Sequence, residues 1–319
     1  MPQIQVDKEL AGLRLDKFLC QKFDISFGLA QKLIREKKVK VNEARVDASY
    51  KTADEDAIEI FADLQIRLEG EKKKPKISAE KVRNFLSHVV YEDENMMAIN
   101  KPSGLATQGG SGIEISVDDI IQELKNFPAQ IKLQETPQLV HRLDKDTSGI
   151  LLIAKNKIAA EFLTKAFKEK TMRKTYLALV AGLPKKDEGT VNIPLLKKFV
   201  GKNEKVYPDM ANGKEAVTHY KVLKNFEDYS LMELKPITGR THQLRVHCKE
   251  IGHAVVNDVK YGGIDCCRKT VCKRMCLHAY KIELSDYFGK KLEIVTELPE
   301  FAAKKFKAKK NFIKKRRFS

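Results

Sequence analysis

The chain has 319 residues, room for about two domains with a sizeable core. Its 60 Lys and Arg outnumber 43 Asp and Glu, a net charge of +17, which favours a polyanionic partner because each neutralised phosphate releases condensed counterions. No apolar run is long enough to cross a bilayer, and the opening MPQIQVDKELAG has no secretory core, so a soluble cytoplasmic protein without a membrane partner is expected.

The first elements form a small unit. In RLDKFLCQKF, Leu15, Phe18, Leu19 and Phe23 fall at helical spacing, with Cys20 a small core residue on the same pattern. A second helix follows in GLAQKLIREKK, with Leu29, Leu33 and Ile34 inward and Gln31, Lys32, Arg35, Lys37 and Lys38 outward. VKVNEARV and DAIEI then read as short strands. The basic stripe of Lys32, Arg35, Lys37 and Lys38 is either a solvated helix face or a contact for an RNA backbone. From 62 to 87, and most clearly in EGEKKKPKIS, the chain turns charged and poor in apolar residues and reads as a flexible linker.

SHVVYEDENMMAINKPSGLA predicts two strands around an acidic turn, closed by Lys101-Pro102-Ser103-Gly104. GGSG at 109–112 lacks the Lys-Ser/Thr partner and the helix of a nucleotide loop. The densest stretch comes next, HRLDKDTSGILLIAK from His141 to Lys155. It surrounds one carboxylate, Asp144, with the planar cation of Arg142 and the polar ring of His141. Thr147, Ser148 and Gly149 can make a tight turn, and the apolar run Ile150–Ala154 reads as a buried strand anchoring the loop. A carboxylate on a loop pinned by a core strand is how a rigid scaffold presents a reactive group. The plainer alternative is that Asp144 caps a turn or pairs with Arg142.

Lys157–Lys168 predicts an amphipathic helix with Ala159, Phe162, Leu163 and Phe167 on one face, and RKTYLALVAG a strand carrying Tyr176. EAVTHYKVL and YSLMELKPI flank a turn at Asn225 to Asp228 and read as a hairpin. In GRTHQLRVHCKEIGH, Thr241 can cap a helix ending near Gly252, with Leu244, Cys248 and Ile251 inward. His242, Arg245 and Lys249 share the other face, which either pairs Arg245 with a distant carboxylate such as Asp144 or simply meets solvent. Cys266, Cys267, Cys272 and Cys276 cluster in CCRKTVCKRMC without the paired knuckles of structural zinc sites, so reduced thiols and no metal are expected. The last stretch holds nine basic residues after Ala303 and no acid; it suits a polyanion, an anionic membrane surface, or solvent alone. Hairpins interspersed with helices, and no internal repeat, predict an α+β fold with a mixed, mostly antiparallel sheet.

HRLDKDTSGILLIAK, RKTYLALVAG and GRTHQLRVHCKEIGHAVVNDVKYGG, with NKPSGLAT upstream, closely resemble the RluA-type pseudouridine synthases from about Val89 to Leu298. RLDKFL through GLAQKLIREKKVKVN resembles the αL-type RNA-binding module of a ribosomal small-subunit protein. The resemblance implies an N-terminal RNA-binding domain at 1–61, the linker, a synthase domain at 88–303 and a basic tail at 304–319. It implies a catalytic Asp144, a basic partner Arg245, an active-site Tyr176, and Arg142 entering the RNA as the target base leaves. His141 and Arg240 join Lys32, Arg35, Lys37 and Lys38 as expected RNA contacts. The one visible departure is the cysteine-rich segment between YGG and LHAY.

The implied substrate is large-subunit ribosomal RNA, free or in an assembling subunit, and the implied enzyme is a monomer without a cofactor. Isomerising uridine breaks the C1′–N1 bond and remakes it to C5, so no atom is gained and no redox or phosphate donor is needed. The ribose centre becomes electron-poor as the bond breaks, and an ionised carboxylate can stabilise it, attack it, or remove a sugar proton. Two other readings compete. One is a non-catalytic RNA-binding or ribosome-assembly factor; the other is a nucleoside glycosidase, which would need a second carboxylate such as Asp146.

Overall fold

The computed structural model describes residues 3–23, 25, 27–61, 77–110, 112–131, 133–200, 203–268 and 271–306. The chain divides into two compact units, Met1–Pro75 with Gly110–Glu114, and Lys76–Gly109 with Ile115–Ser319.

In the first unit, strand β1 (Gln3–Gln5) precedes helices Leu15–Phe23 and Phe27–Arg35, and β2 (Val39–Val41) and β3 (Ala57–Ile60) follow. The strands form an antiparallel sheet in the order β1-β3-β2. The helical spacing read from the sequence delivers Leu15, Phe18, Leu19 and Leu33 to a shared core with Val39, Val41 and Ile58. Asp16 is buried with them and accepts hydrogen bonds from Arg14 Nη2 at 2.7 Å, Gln31 Nε2 at 2.7 Å and Lys17 N at 2.9 Å, so its polar cost is met. Strand β1 was not foreseen: three residues carry too little periodicity to register.

The second unit begins with a correction. Residues 62–76 lie outside the described residues, but the last part of the expected linker is ordered as the helix Ala79–Leu86. Ser78 Oγ caps it by accepting from Lys81 N at 3.3 Å, and Val82 and Phe85 drive it into the core beside Ile99 and Ile121. Two apolar residues one turn apart outweigh the surrounding charge.

Strands β4 (Val89–Glu92) and β5 (Met96–Lys101), β6 (Gln138–Leu139), β7 (Ser148–Ala154), β8 (Met172–Ala181) and β9 (Glu188–Asn192) come next. They are followed by the hairpin β10 (Leu195–Val200) and β11 (Asn203–Pro208), the hairpin β12 (Val217–Asn225) and β13 (Tyr229–Pro236), and finally β14 (Leu277–Tyr287) and β15 (Lys290–Val295). Ten of these strands make one sheet in the order β4-β5-β7-β14-β8-β13-β12-β9, with β6 on β7 and β15 on β14. Only the β7–β14 pair is parallel, so the sheet is mixed and mostly antiparallel, as the element pattern predicts.

The middle of this sheet is buried on both faces, and strand alternation divides its side chains between two cores. Met96 and Ala98 of β5 with Ile150 and Leu152 of β7 meet the helix Lys157–Lys168 through Ala159 and Leu163. Their neighbours Met97, Ile99, Leu151 and Ile153 face the opposite way, against Val82, Phe85, Ile120 and Ile121. That double burial is why Ile150–Ala154 reads as an unbroken apolar run.

The expected tight turn of Thr147, Ser148 and Gly149 lies earlier in the chain and keeps only Thr147 of the three. Thr147 N donates to Asp144 O at 3.1 Å, while Ser148 and Gly149 already belong to β7. Gly149 adopts φ +107°, and a Cβ there would meet Ala279 O at 2.2 Å. The glycine lets β14 approach the strand that carries the Asp144 loop. Gly149→Ala is expected to lower unfolding free energy by roughly 1–3 kcal/mol from backbone strain alone, measured by urea titration of the full chain; an unchanged midpoint would contradict this account.

Candidate active site

The loop between β6 and β7 presents Asp144 because neighbouring backbone and side chains fasten it on either side. Thr107 Oγ1 donates to Leu143 O at 2.7 Å and accepts from Leu143 N at 3.1 Å. Ser103 Oγ donates to Asp146 O at 2.7 Å, and Gly104 N donates to Lys145 O at 2.8 Å. Lys101, at the end of β5, is wholly buried. Its ammonium donates to Pro102 O at 3.1 Å, Leu105 O at 2.7 Å and Lys145 O at 3.1 Å. Burial pulls its pKa down to about 8, against the opposing pull of Asp146 and Asp144. Sequence reading treated Lys101 only as part of a turn. A lysine ending an apolar strand is the signal that was there to be read.

The helix Gln243–Glu250 brings the second half of the site. Its N-cap is His242 in the left-handed region at φ 53°, with no side-chain cap, so Thr241 does not take the capping place expected of it. Gln243 fastens this end: its Oε1 accepts from Thr238 Oγ1 at 2.7 Å and Arg240 N at 3.0 Å, and its Nε2 donates to Val217 O at 2.9 Å. His247, a buried residue of the same helix, sits between Thr218 Oγ1 at 2.9 Å and Ile193 O at 3.1 Å, and burial lowers its pKa. The helix is therefore buried on more than the predicted face, and Gln243 and His247 serve as scaffold.

Arg245 occupies the first turn of this helix and is almost fully buried. It reaches Asp144 as expected, Nη1 donating to Oδ2 at 3.2 Å. Its tighter partner is Asp258, which no sequence pattern singled out. Nε and Nη2 grip the two Asp258 oxygens at 2.7 Å each, the bidentate geometry in which Arg–carboxylate pairs are strongest. Burial alone would lower the Arg245 pKa, but Asp258 and then Asp144 outweigh it and hold the guanidinium above its ordinary value. The Tyr261 ring lies beneath, 5.0 Å from Arg245 Cζ.

Asp144 opens into a cavity of about 600 Å³ whose wall includes Arg142, Asp146, His242, Arg245 and Asp258. Lys145, Lys260, Lys273 and Arg274 add a basic lining that sequence reading missed. Lys273 and Arg274 come from the cysteine-rich segment, so the one departure from the family pattern forms part of this wall. Arg274 Nη1 donates to Ser103 O, tying that segment to the loop after β5. Cys266 and Cys276 are buried and Cys267 and Cys272 half-buried, all as free thiols. Among the described residues, no group of three or more His, Cys, Asp or Glu is arranged to hold a metal ion.

The remaining expected residues divide. Tyr176 stands on β8, opposite Leu234 of β13 and Ala279 of β14. Burial and then the Asp144 charge raise its pKa above the phenol value, so the ring is neutral and electrostatically coupled to Asp144. It packs between two apolar clusters. Arg142 is exposed on the cavity wall. His141 is held by the fold: Leu152 N donates to its Nε2 at 2.8 Å and its ring stacks on Phe167 at 4.4 Å. Burial, then the charge of Lys174, push its pKa down to about 3. The neutral imidazole thus has Nε2 and one ring face engaged inside the fold. Arg240 is exposed away from the cavity wall, its Nε donating to Glu215 O at 3.0 Å. In the first unit Lys32, Arg35, Lys37 and Lys38 are all exposed, Lys32 at 3.9 Å from Glu36.

Comparison with known proteins agrees with this geometry. Residues 95–250 match the RNA pseudouridylate synthase family, and residues 13–58 match the S4 domain. A Rickettsia bellii protein named ribosomal large subunit pseudouridine synthase C is 40% identical over 306 residues, covering 93% of this chain and 98% of the relative. A Vibrio parahaemolyticus protein of the same name is 39% identical, covering 81% of this chain and 79% of its own length. The solved structure of human RNA pseudouridylate synthase domain containing 4 superposes with a TM-score of 0.58 at 26% identity, over 70% of this chain and 92% of that one. With this likeness across nearly its whole length, the chain belongs to the RNA pseudouridylate synthase family.

Proposed function

We propose that this protein isomerises uridines of large-subunit ribosomal RNA to pseudouridine, with Asp144 acting at the ribose of an everted nucleotide. The observation that carries this reading is one carboxylate, Asp144, held by a buried guanidinium at the wall of a cavity lined with cations. The rRNA substrate rests on the relatives named for the large subunit.

The chemistry follows from what the cavity offers. As C1′–N1 breaks, positive charge develops on the ribose, and a carboxylate in a partly dry site stabilises it or takes part directly. Arg245 keeps that carboxylate in place, because its own grip on Asp258 leaves it little freedom. Asp146, the second carboxylate a nucleoside glycosidase would need, is exposed on the same wall, so the product formed is what separates the two readings. Extracting the base costs a few kcal/mol of stacking, least in loops or distorted helices. Arg142, exposed at the wall and making no hydrogen bond or ion pair with the described residues, is the group suited to fill the vacated stack. Tyr176 is not among the residues that line the cavity; packed behind it and sensing the charge of Asp144, it is the ring we assign to stack on uracil.

Lys145, Lys260, Lys273 and Arg274 suit phosphates flanking the target. The S4-like unit with Lys32, Arg35, Lys37 and Lys38 adds affinity that is largely independent of sequence, and the basic C-terminal stretch does the same. We take the catalytic part to start at the helix Ala79–Leu86, ahead of the boundary near 88 that composition suggests. The relatives named for the large ribosomal subunit support work in the cytoplasm, and we read the enzyme as a monomer.

Asp144→Asn is expected to abolish pseudouridine formation on large-subunit rRNA while RNA binding persists; turnover by this variant would contradict the role of Asp144, and release of free uracil by the wild type would favour a glycosidase. Arg245→Met should cost about 3–5 kcal/mol in thermal or urea unfolding, because it strands the buried Asp258 charge; a loss below ~1 kcal/mol would refute that pairing as an anchor. RNA affinity should drop at least about tenfold as salt rises from roughly 50 to 200 mM. A dissociation constant indifferent to salt would argue against the cationic surfaces.

A further inference from the structure

A second hydrogen-bonded chain, beside that of Arg245, leads to Asp144. His242 precedes the helix Gln243–Glu250 and lines the cavity, with its Nε2 3.8 Å from Asp144 Oδ2. Its other nitrogen, Nδ1, lies 2.6 Å from the Tyr261 hydroxyl. That hydroxyl in turn accepts from Val206 N at 3.1 Å. A backbone N–H can only donate, so the phenol oxygen is already an acceptor and its own proton is free for His242 Nδ1. Nδ1 is then the acceptor nitrogen, and in a neutral ring the proton sits on Nε2, facing Asp144. Burial disfavours the charged imidazole here, in keeping with a neutral ring, and the cations of Arg245 and Lys260 act in the same direction against Asp144 and Asp258.

The two donors aimed at Asp144 converge on one oxygen. Arg245 Nη1 is 3.2 Å from Oδ2 and His242 Nε2 is 3.8 Å from the same atom. Oδ1 has no partner among the described residues. The segment after Asp258 fixes both donors at once: Asp258 grips Arg245, and Tyr261, three residues on, sets the tautomer of His242.

We propose that His242 is a positioning residue whose Nε2–H, oriented by Tyr261 and Val206, closes on Asp144 Oδ2 when RNA is bound and leaves Oδ1 to meet the ribose. The 3.8 Å separation is too long for a hydrogen bond; catalytic contacts of this kind shorten when substrate fills the site. The inference rests on the pseudouridine synthase reading and deepens it.

Two replacements of His242 separate the roles of its nitrogens. In His242→Gln the side-chain amide reaches the Nε2 position and still donates toward Asp144. In His242→Asn the side chain ends near the Nδ1 position, keeps an acceptor for Tyr261, and has nothing to offer Asp144. His242 is left-handed at φ 53°, a conformation Asn tolerates better than most residues, so the Asn variant carries no added backbone strain. The experiment is single-turnover pseudouridine formation on large-subunit rRNA transcripts, with the RNA dissociation constant measured alongside. His242→Asn is expected to slow the reaction by about 10²-fold, the scale of a misplaced reacting group, with RNA affinity unchanged, and His242→Gln to recover most of the rate. An Asn variant as fast as wild type, or a Gln variant as slow as Asn, overturns the role of Nε2. A wild-type chain that forms no pseudouridine overturns the functional reading itself, which distinguishes the two failures.

Discussion

The site depends on a buried ion pair: Arg245 held through two 2.7 Å hydrogen bonds by Asp258. A lone guanidinium in this position would be expensive to bury, and a lone Asp258 more so. Together they satisfy one another and leave a single nitrogen, Nη1, to meet Asp144. The Asp144 carboxylate is therefore oriented by a group that is itself immobilised. Orientation achieved before substrate arrives is what lowers a barrier without further rearrangement.

The sheet supplies the other half of that rigidity. β7 is buried on both faces and starts immediately after the Asp144 turn, so the loop cannot shift without disturbing two cores. Lys101 and Thr107 bind the loop backbone from the far side. A buried ammonium spent on three carbonyls is a costly fastener, and its lowered pKa is the mark of that cost. The cavity consequently joins a fixed acid to a wall rich in lysine and arginine, which suits an RNA backbone.

Much of this was legible in the chain, and the misreadings share a cause. The apolar run after Gly149, the helix Lys157–Lys168 and the two hairpin strands around Asn225 carry strong periodicity, and all stand where the pattern puts them. The pairing of Arg245 with Asp144 spans 101 residues and could be proposed because each sits in a dense polar motif. Asp258 stands alone in NDVKYGG, with nothing local to mark it as the partner of an arginine. Adjacency of His141 to Asp144 suggested function and gave no sign that its Nε2 is engaged by Leu152 of the next strand. The charged stretch ahead of β4 concealed a helix because Val82 and Phe85 are its only buried residues. Local composition does not report burial created by distant strands.

The most direct measurement follows from the hydrogen on uracil C5, which must depart as the new carbon–carbon bond forms. Large-subunit rRNA labelled with tritium at uridine C5, incubated with the full chain, should release tritium to water. Asp258→Asn, which loosens Arg245 without touching Asp144, should slow that release while RNA remains bound. RNA bound by the wild type with no tritium released would contradict the account at its root.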